Sequence, residues 1–192
     1  MVSVTRQRYV TTPQNHTMPN YIRVHTPGGT YFFTVALLER RRRLLTEHID
    51  ALREAFRHVK RERPFQFGAI AILPDHLHCL WTLPSNDTDF STRWRLIKSR
   101  FARSVEPGEK LSARRVRKQE RGIWQRRFWE HAIRDQRDFD AHLDYIHYNP
   151  VKHGWVSRAA DWPHSSFHEF VKNGRYPVDW AAPEHVREID RE

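Results

Sequence analysis

Two histidines one residue apart, His76 and His78, stand inside the apolar run Leu73-Pro74-Asp75-His76-Leu77-His78-Cys79-Leu80-Trp81-Thr82-Leu83. In a β-strand, residues i and i+2 share a face. A strand here aims both imidazoles at one spot and turns Leu77, Cys79, Trp81 and Leu83 towards a core. Neutral imidazole is the commonest metal ligand, so the pair can share a divalent cation. Taken alone, the pattern fits better two partly buried histidines hydrogen-bonded to their neighbours.

A second string with chemistry in it is His142-Leu143-Asp144-Tyr145-Ile146-His147-Tyr148-Asn149-Pro150-Val151-Lys152-His153-Gly154. Residues three and four apart on a helix are neighbours. His142, Tyr145 and Asn149 therefore gather on one face, where a phenol and an amide oxygen can approach one point. Leu143 and Ile146 fall on the packing side. A helix that docks through its aromatics and is capped by Asn149 would use the same residues without any chemistry.

The elements that must position these strings follow from periodicity and punctuation. Pro27-Gly28-Gly29 is a turn, and Thr30 to Leu38 is a β-rich run after it. A helix is expected from about Thr46 as N-cap, burying Ile49, Leu52, Phe56 and Val59 and ending at Pro64. Phe65–Leu73 and His76–Leu83 read as two strands of an antiparallel hairpin. A second helix spans about Phe90 to Val105, with Trp94, Ile97 and Phe101 apolar and Arg93, Arg95, Lys98, Arg100 and Arg103 on much of the rest. Residues 106–122 form a basic linker, Ile123–Ala132 a fourth strand, and Asp135–Tyr148 a third helix that Asn149-Pro150 stops. A short helix is expected near Ser165–Lys172. The order β-α-β-β-α-β-α plus a C-terminal extension predicts an α+β, ferredoxin-like antiparallel sheet with helices on one face. The other face would be an open platform for His76 and His78. Residues 1–25 read as an N-terminal arm, disordered by composition, 26–155 as the functional domain and 156–192 as an extension.

Composition narrows the partners. The 192 residues carry 33 Lys and Arg against 23 Asp and Glu, a formal net charge of +10. Clustered arginine with interleaved aromatics fits a polyanion, because guanidinium binds phosphate bidentately and stacks on bases. No apolar run reaches the ~18 residues of a membrane span, so no membrane partner is expected. One cysteine, Cys79, excludes an internal disulfide and any Cys-rich zinc site, including that of a nucleobase deaminase. A cytoplasmic, reducing location follows.

The ordered set Leu-Pro-Asp-His-Leu-His-Cys-Leu-Trp (73–81), Trp-Gln-Arg-Arg-Phe-Trp-Glu-His (124–131), Asp-Tyr-Ile-His-Tyr-Asn-Pro-Val-Lys-His-Gly (144–154) and Asp-Trp-Pro (161–163) resembles the REP-associated tyrosine transposases. These are bacterial relatives of the single-tyrosine HUH (histidine, hydrophobic residue, histidine) transposases, and the resemblance covers about residues 20–180. It implies a ferredoxin-like fold and a site in which His76, His78 and Asn149 hold Mg²⁺ or Mn²⁺ while Tyr145 attacks a DNA phosphate. The 3′-OH leaves and a 5′-phosphotyrosine link remains. Tyr148 is the competing nucleophile. A free phenol, with a pKa of ~10, needs help near neutrality, and His142 and His147 are the two guesses for its base. The implied substrate is single-stranded DNA carrying hairpins of repeated extragenic palindromes (REP), near the nucleoid. Arg95, Lys98, Arg114, Arg115, Arg126, Arg127 and Lys152 are the expected phosphate contacts, and Trp94, Trp124 and Trp129 could stack on bases. Two rival readings remain: a hairpin-binding DNA or RNA protein that does not cleave, and a metal-dependent nuclease that uses water. Monomer and homodimer both fit.

Overall fold

The aromatic and β-branched run Thr30–Ala36 forms β1, the inner strand around which the other strands are laid. The computed structural model describes residues 25–107, 111–118 and 121–187, so the arm expected over 1–25 lies, but for His25, outside the described residues. On one side β1 pairs antiparallel with β3 (His76–Thr82), and on the other with β4 (Trp129–Ala132); β2 (Gln66–Ile72) pairs with β3. The sheet order is β2-β3-β1-β4, as two split βαβ units produce. The α+β ferredoxin-like expectation holds.

Alternation sorts the side chains. Tyr31, Phe33, Val35, Leu77, Cys79 and Trp81 face a core closed by α2 (Ile49–Glu62) and α3 (Phe90–Ser104), which supply Leu52, Phe56, Val59, Trp94, Ile97 and Phe101. Phe32, Ala69, Ala71 and Leu80 face the opposite side, where α5 (Gln136–Lys152) brings Leu143, Tyr145 and Ile146. That second face is therefore not the open platform anticipated. α5 crosses it against β2 and β3, and the segment after it folds back, through a 3-10 turn at Ala159–Asp161, α6 (Phe167–Lys172) and α7 (Glu184–Arg187). Gly68 permits the close approach: a Cβ there would lie 3.1 Å from Leu80 Cβ and 3.5 Å from the Phe139 ring.

Several boundaries moved for identifiable reasons. Leu44 and Leu45 are buried, so a short α1 (Leu44–Glu47) precedes α2 and Thr46 lies inside it rather than capping. The basic linker contains α4 (Ala113–Arg117), and β4 is only the last four residues of the expected strand. Trp124 makes an isolated bridge to Leu37. α5 begins at Asp135, whose carboxylate accepts from Asp138 N at 2.8 Å, and it runs through Pro150 to Lys152 instead of stopping. Proline so close to a helix end forfeits little of the ladder, and Asn149 and Pro150 are both buried.

Arg93, read with the basic residues outside the apolar stripe of α3, is 1% exposed. Its guanidinium donates to Arg63 O at 3.2 Å, Asp89 O and Pro64 O at 2.8 Å, and Asp87 Oδ2 at 2.7 Å. It ties the end of α2 to the loop that starts α3. Arg93→Met leaves three carbonyls and a carboxylate without that donor and should cost about 3 kcal/mol in equilibrium urea unfolding. A loss under about 1 kcal/mol would show that these bonds are replaced by water.

Candidate active site

β3 delivers His76 and His78 to the face under α5, and both rings are buried, 1% and 0% exposed. Their centroids lie 5.0 Å apart, the planes near perpendicular. His76 Nδ1 is 2.8 Å from Asp75 Oδ1. A carboxylate can only accept, so Nδ1 carries a proton towards Asp75. Arg40 donates to the other oxygen of Asp75, and its Nη2 sits 3.3 Å from His76 Nδ1. Burial alone would raise the Asp75 carboxyl, but hydrogen bonds and charge from His76 and Arg40 outweigh it and hold its pKa below the ordinary value. His78 Nδ1 bonds the Thr34 hydroxyl at 2.9 Å across the β1–β3 pair. Burial, with the charges of His76, His153, Lys152 and Arg40, pushes the His78 pKa well down. The ring is thus neutral near pH 7, the form that ligates metal.

Three sets of polar atoms on this face lack hydrogen-bond partners among the described residues: His76 Nε2, His78 Nε2 and the side-chain amide of Asn149. A buried polar atom left without a partner costs about 1–3 kcal/mol, and such atoms call for an explanation. Two imidazole nitrogens and an amide oxygen are a donor set for a divalent cation.

Tyr145 lies one helical turn before Asn149 and is wholly buried. Its ring meets the His78 ring edge-on at 5.2 Å and Phe32 at 5.9 Å. Lys152 Nζ stands 5.1 Å from the centre of the Tyr145 ring, and the His153 ring lies 4.9 Å from that of His76. Because α5 continues past Pro150, His142, Tyr145, Asn149 and Lys152 recur on one stripe at spacings of three and four. Lys152, expected as a phosphate contact, thus sits over the Tyr145 ring. Tyr148 is half-buried against the core that holds α5 to the C-terminal segment. His147 turns the same way: its Nε2 is 2.9 Å from Ser166 Oγ, its ring meets Phe170 and Tyr176, and burial lowers its pKa to about 3.

A second cluster braces the helix. Asp138 of α5 holds His131 of β4 (Nε2 to Oδ2, 2.8 Å) and His142 (Nδ1 to Oδ1, 3.1 Å), and it accepts from Arg134 N and Nε, each at 3.1 Å. The ligand atoms of His131, Asp138 and His142 all lie within 4.8 Å of one another. His142 Nδ1 also reaches Asp138 O at 2.7 Å, and the His131 and His142 rings stack at 4.7 Å. Burial opposes ionisation of Asp138, but the bonds from His131 and Arg134 prevail and its pKa is lowered. A carboxyl so depressed adds its full stability above its unfolded pKa of ~3.9 and loses it progressively as pH falls from there through the lower folded pKa. Asp138→Asn should therefore lower stability at pH 7 by about 2 kcal/mol and by clearly less at pH 2, in urea melts at the two values. Equal losses at both pH values would contradict the assignment. The sequence named Glu130-His131 within a motif but did not join it to Asp138; only the β4–α5 turn brings them together.

Four of the remaining expected DNA contacts share one cavity. Arg95, Lys98, Arg115 and Arg126 line one cavity between α3 and the 121–128 segment, on the α2/α3 side. Arg114 and Arg127 are exposed beyond it. Trp94 and Trp124 are core, whereas Trp129 is 38% exposed and touches Phe32 at 5.7 Å on the tyrosine face. No helix among the described residues is long and apolar enough to cross a membrane.

Comparison with known proteins identifies the family. Residues 29–149 match the family described as "Transposase IS200 like". The chain is 51% identical over 164 residues to the REP-associated tyrosine transposase of Escherichia coli K12, covering 85% of this chain and 92% of that one. It superposes with a TM-score of 0.76 on the solved structure of a REP-associated tyrosine transposase bound to a REP hairpin, at 49% identity over 86% of this chain and 93% of that one. A family match spanning the sheet, both histidines, Tyr145 and Asn149, with half the residues identical, places the chain among the IS200-like transposases, in their REP-associated tyrosine transposase branch.

Proposed function

We propose that this transposase nicks and rejoins single-stranded DNA next to REP-type hairpins through a 5′-phosphotyrosine intermediate. The observation that carries the proposal is the set of unpartnered donors of His76, His78 and Asn149 beside the buried Tyr145. Tyr145 Oη attacks phosphorus, the bond to the 3′ oxygen breaks, and that oxygen leaves as a 3′-OH. One phosphodiester is exchanged for another, so the step is reversible and the link can later pass to a new 3′ end. The two imidazole Nε2 atoms and the Asn149 Oδ1 would hold a divalent cation. Their mixed nitrogen and oxygen character suits Mn²⁺ at least as well as Mg²⁺. Such an ion supplies Lewis acidity to a non-bridging phosphate oxygen.

The chain's own residues prepare the rest. Asp75 and Thr34 orient the two imidazoles from behind, as outer partners orient ligating histidines generally. Lys152, over the Tyr145 ring, offsets negative charge gathering on the attacking oxygen and the phosphate. Burial of Tyr145 keeps water from competing for the phosphorus, and it also requires that whatever covers the phenol yield before DNA reaches it. Residues 26–155 would carry the chemistry, and the segment 156–187 packs against α5. The substrate reading rests on the REP hairpin held by the solved relative and on the +10 charge. A nucleoid-associated site of action accords with both.

The full burial of Tyr145 favours one rival, a hairpin-binding protein that does not cleave. Incubation with labelled hairpin-bearing single-stranded DNA and Mn²⁺ or Mg²⁺, followed by a denaturing gel, separates the two. A covalent adduct is expected with the wild type, none with Tyr145→Phe, and loss of at least about 100-fold with His78→Ala. An adduct of equal yield in Tyr145→Phe would remove Tyr145 from the role. Nicking without an adduct would move the mechanism to water. Lys152→Gln should slow adduct formation about tenfold with little change in DNA affinity, as a contact made mainly in the transition state does.

A further inference from the structure

Asp138 and His142 stand four apart on α5, so they share one face of the helix. Two ligating side chains at that spacing are a common way for a helix to hold a transition metal. β4, the edge strand beside β1, brings His131 to the same place. His131, Asp138 and His142 each offer one donor atom, and the three lie within 4.8 Å of one another. The carboxylate now holds both rings, with His131 Nε2 at 2.8 Å from Oδ2 and His142 Nδ1 at 3.1 Å from Oδ1. Donors bound ~2.0–2.1 Å from a tetrahedral Zn²⁺ stand about 3.3 Å apart, so these contacts open by about half an ångström or less to admit one.

Asp138 is the anion such a site needs. Burial would keep its carboxyl neutral, but the bonds from His131 and Arg134 hold it ionised. The backbone N–H of Arg134 donates to Oδ2 at 3.1 Å, the kind of outer support that orients metal-binding carboxylates. Arg134 Nε is the competing cation on the same oxygen, also at 3.1 Å, and its side chain, 75% exposed, can swing into solvent. His142 is wholly buried and held against Phe32 at 4.8 Å, whereas the His131 side chain is 25% exposed. The two rings are stacked, 4.7 Å apart and 15° from parallel. A nitrogen lone pair lies in its ring plane, so one ring must turn for both to share an ion, and His131 is the one with room. Each ring binds through the nitrogen that now donates to Asp138, after that proton has passed to the other ring nitrogen or to water. An ion thus enters from the His131 side, where water completes its coordination. Two imidazoles and one carboxylate suit Zn²⁺ and disfavour Mg²⁺, which takes oxygen.

We propose that His131, Asp138 and His142 form a Zn²⁺ site, separate from the His76, His78 and Asn149 donors, in which the ion cross-links β4 to the helix that carries Tyr145. Phe32 stands between the two sets, its ring meeting His142 at 4.8 Å and His78 at 5.5 Å. The ion takes over the bracing that the Asp138 hydrogen bonds supply without it. β4 and α5 meet only on folding, so the ion binds the folded chain and adds stability by mass action. It takes no part in the exchange of phosphodiesters, and the site stands whether or not the chain cleaves DNA.

Zinc titration of the untagged full chain by calorimetry tests it, with wild type, His78→Ala, His131→Gln and the double variant. The amide that replaces the His131 ring still donates to Asp138 but ligates zinc poorly, so His131→Gln keeps the brace and loses the ligand. His78→Ala should retain one zinc equivalent, and adding His131→Gln to it should weaken that equivalent at least about 100-fold. Co²⁺ reports the geometry, because a four-coordinate ion absorbs visible light strongly and a six-coordinate one weakly. The strong band should persist in His78→Ala and vanish in the double variant. Zinc should likewise raise the melting temperature of His78→Ala and not that of the double variant. Zinc binding that His78→Ala abolishes would overturn the site. So would an equivalent that survives in the double variant, since it would then sit on other histidines. Imidazole NMR of the wild type needs no variant to fold: zinc should move the ring signals of His131 and His142, and a His131 signal unmoved by saturating zinc would overturn the site. None of these readouts involves DNA, so they leave the adduct assay to judge the tyrosine mechanism separately.

Discussion

Everything in the site depends on the packing of α5 across the second face of the sheet. β3 repeats every two residues and α5 every three or four. The two periods meet where Phe32 and Leu80 contact Leu143 and Ile146. That apolar seam fixes the helix's rotation, and the rotation places Tyr145 against His78 and the Asn149 amide one turn further on. It also explains why α5 does not end at Pro150. Ending it there would give up the burial of Asn149 and Pro150 and the placement of Lys152 for the sake of one missing backbone hydrogen bond.

Carboxylates secure each side of this arrangement. Asp75 orients His76 from just before β3, and Asp138 clamps β4 to α5 through His131 and His142. In both, burial would favour the neutral acid, and hydrogen-bond donors reverse the preference.

Charge is distributed differently from chemistry. His76, His78 and Tyr145 are buried under α5, where Lys152 stands over the Tyr145 ring, while Arg95, Lys98, Arg115 and Arg126 line a cavity across the sheet, beside α3.

Much was legible from spacing alone. The strand with His76 and His78, the helix with Tyr145, the order of elements along the chain and the core stripe Trp94, Ile97, Phe101 follow from periods of two and of three to four. These are local properties that the backbone imposes wherever a chain forms that element. The sequence also determined which residues could carry charge or ligate, since residue type sets that. It did not determine what covers the second sheet face, that Arg93 is an interior clamp rather than a solvated residue, that Lys152 stands over the phenol, or that the basic residues divide between two faces. Those belong to the tertiary structure, because each is decided by pairs of side chains far apart in the chain whose meeting is set by the packing of α5, α3 and the 121–128 segment on one sheet.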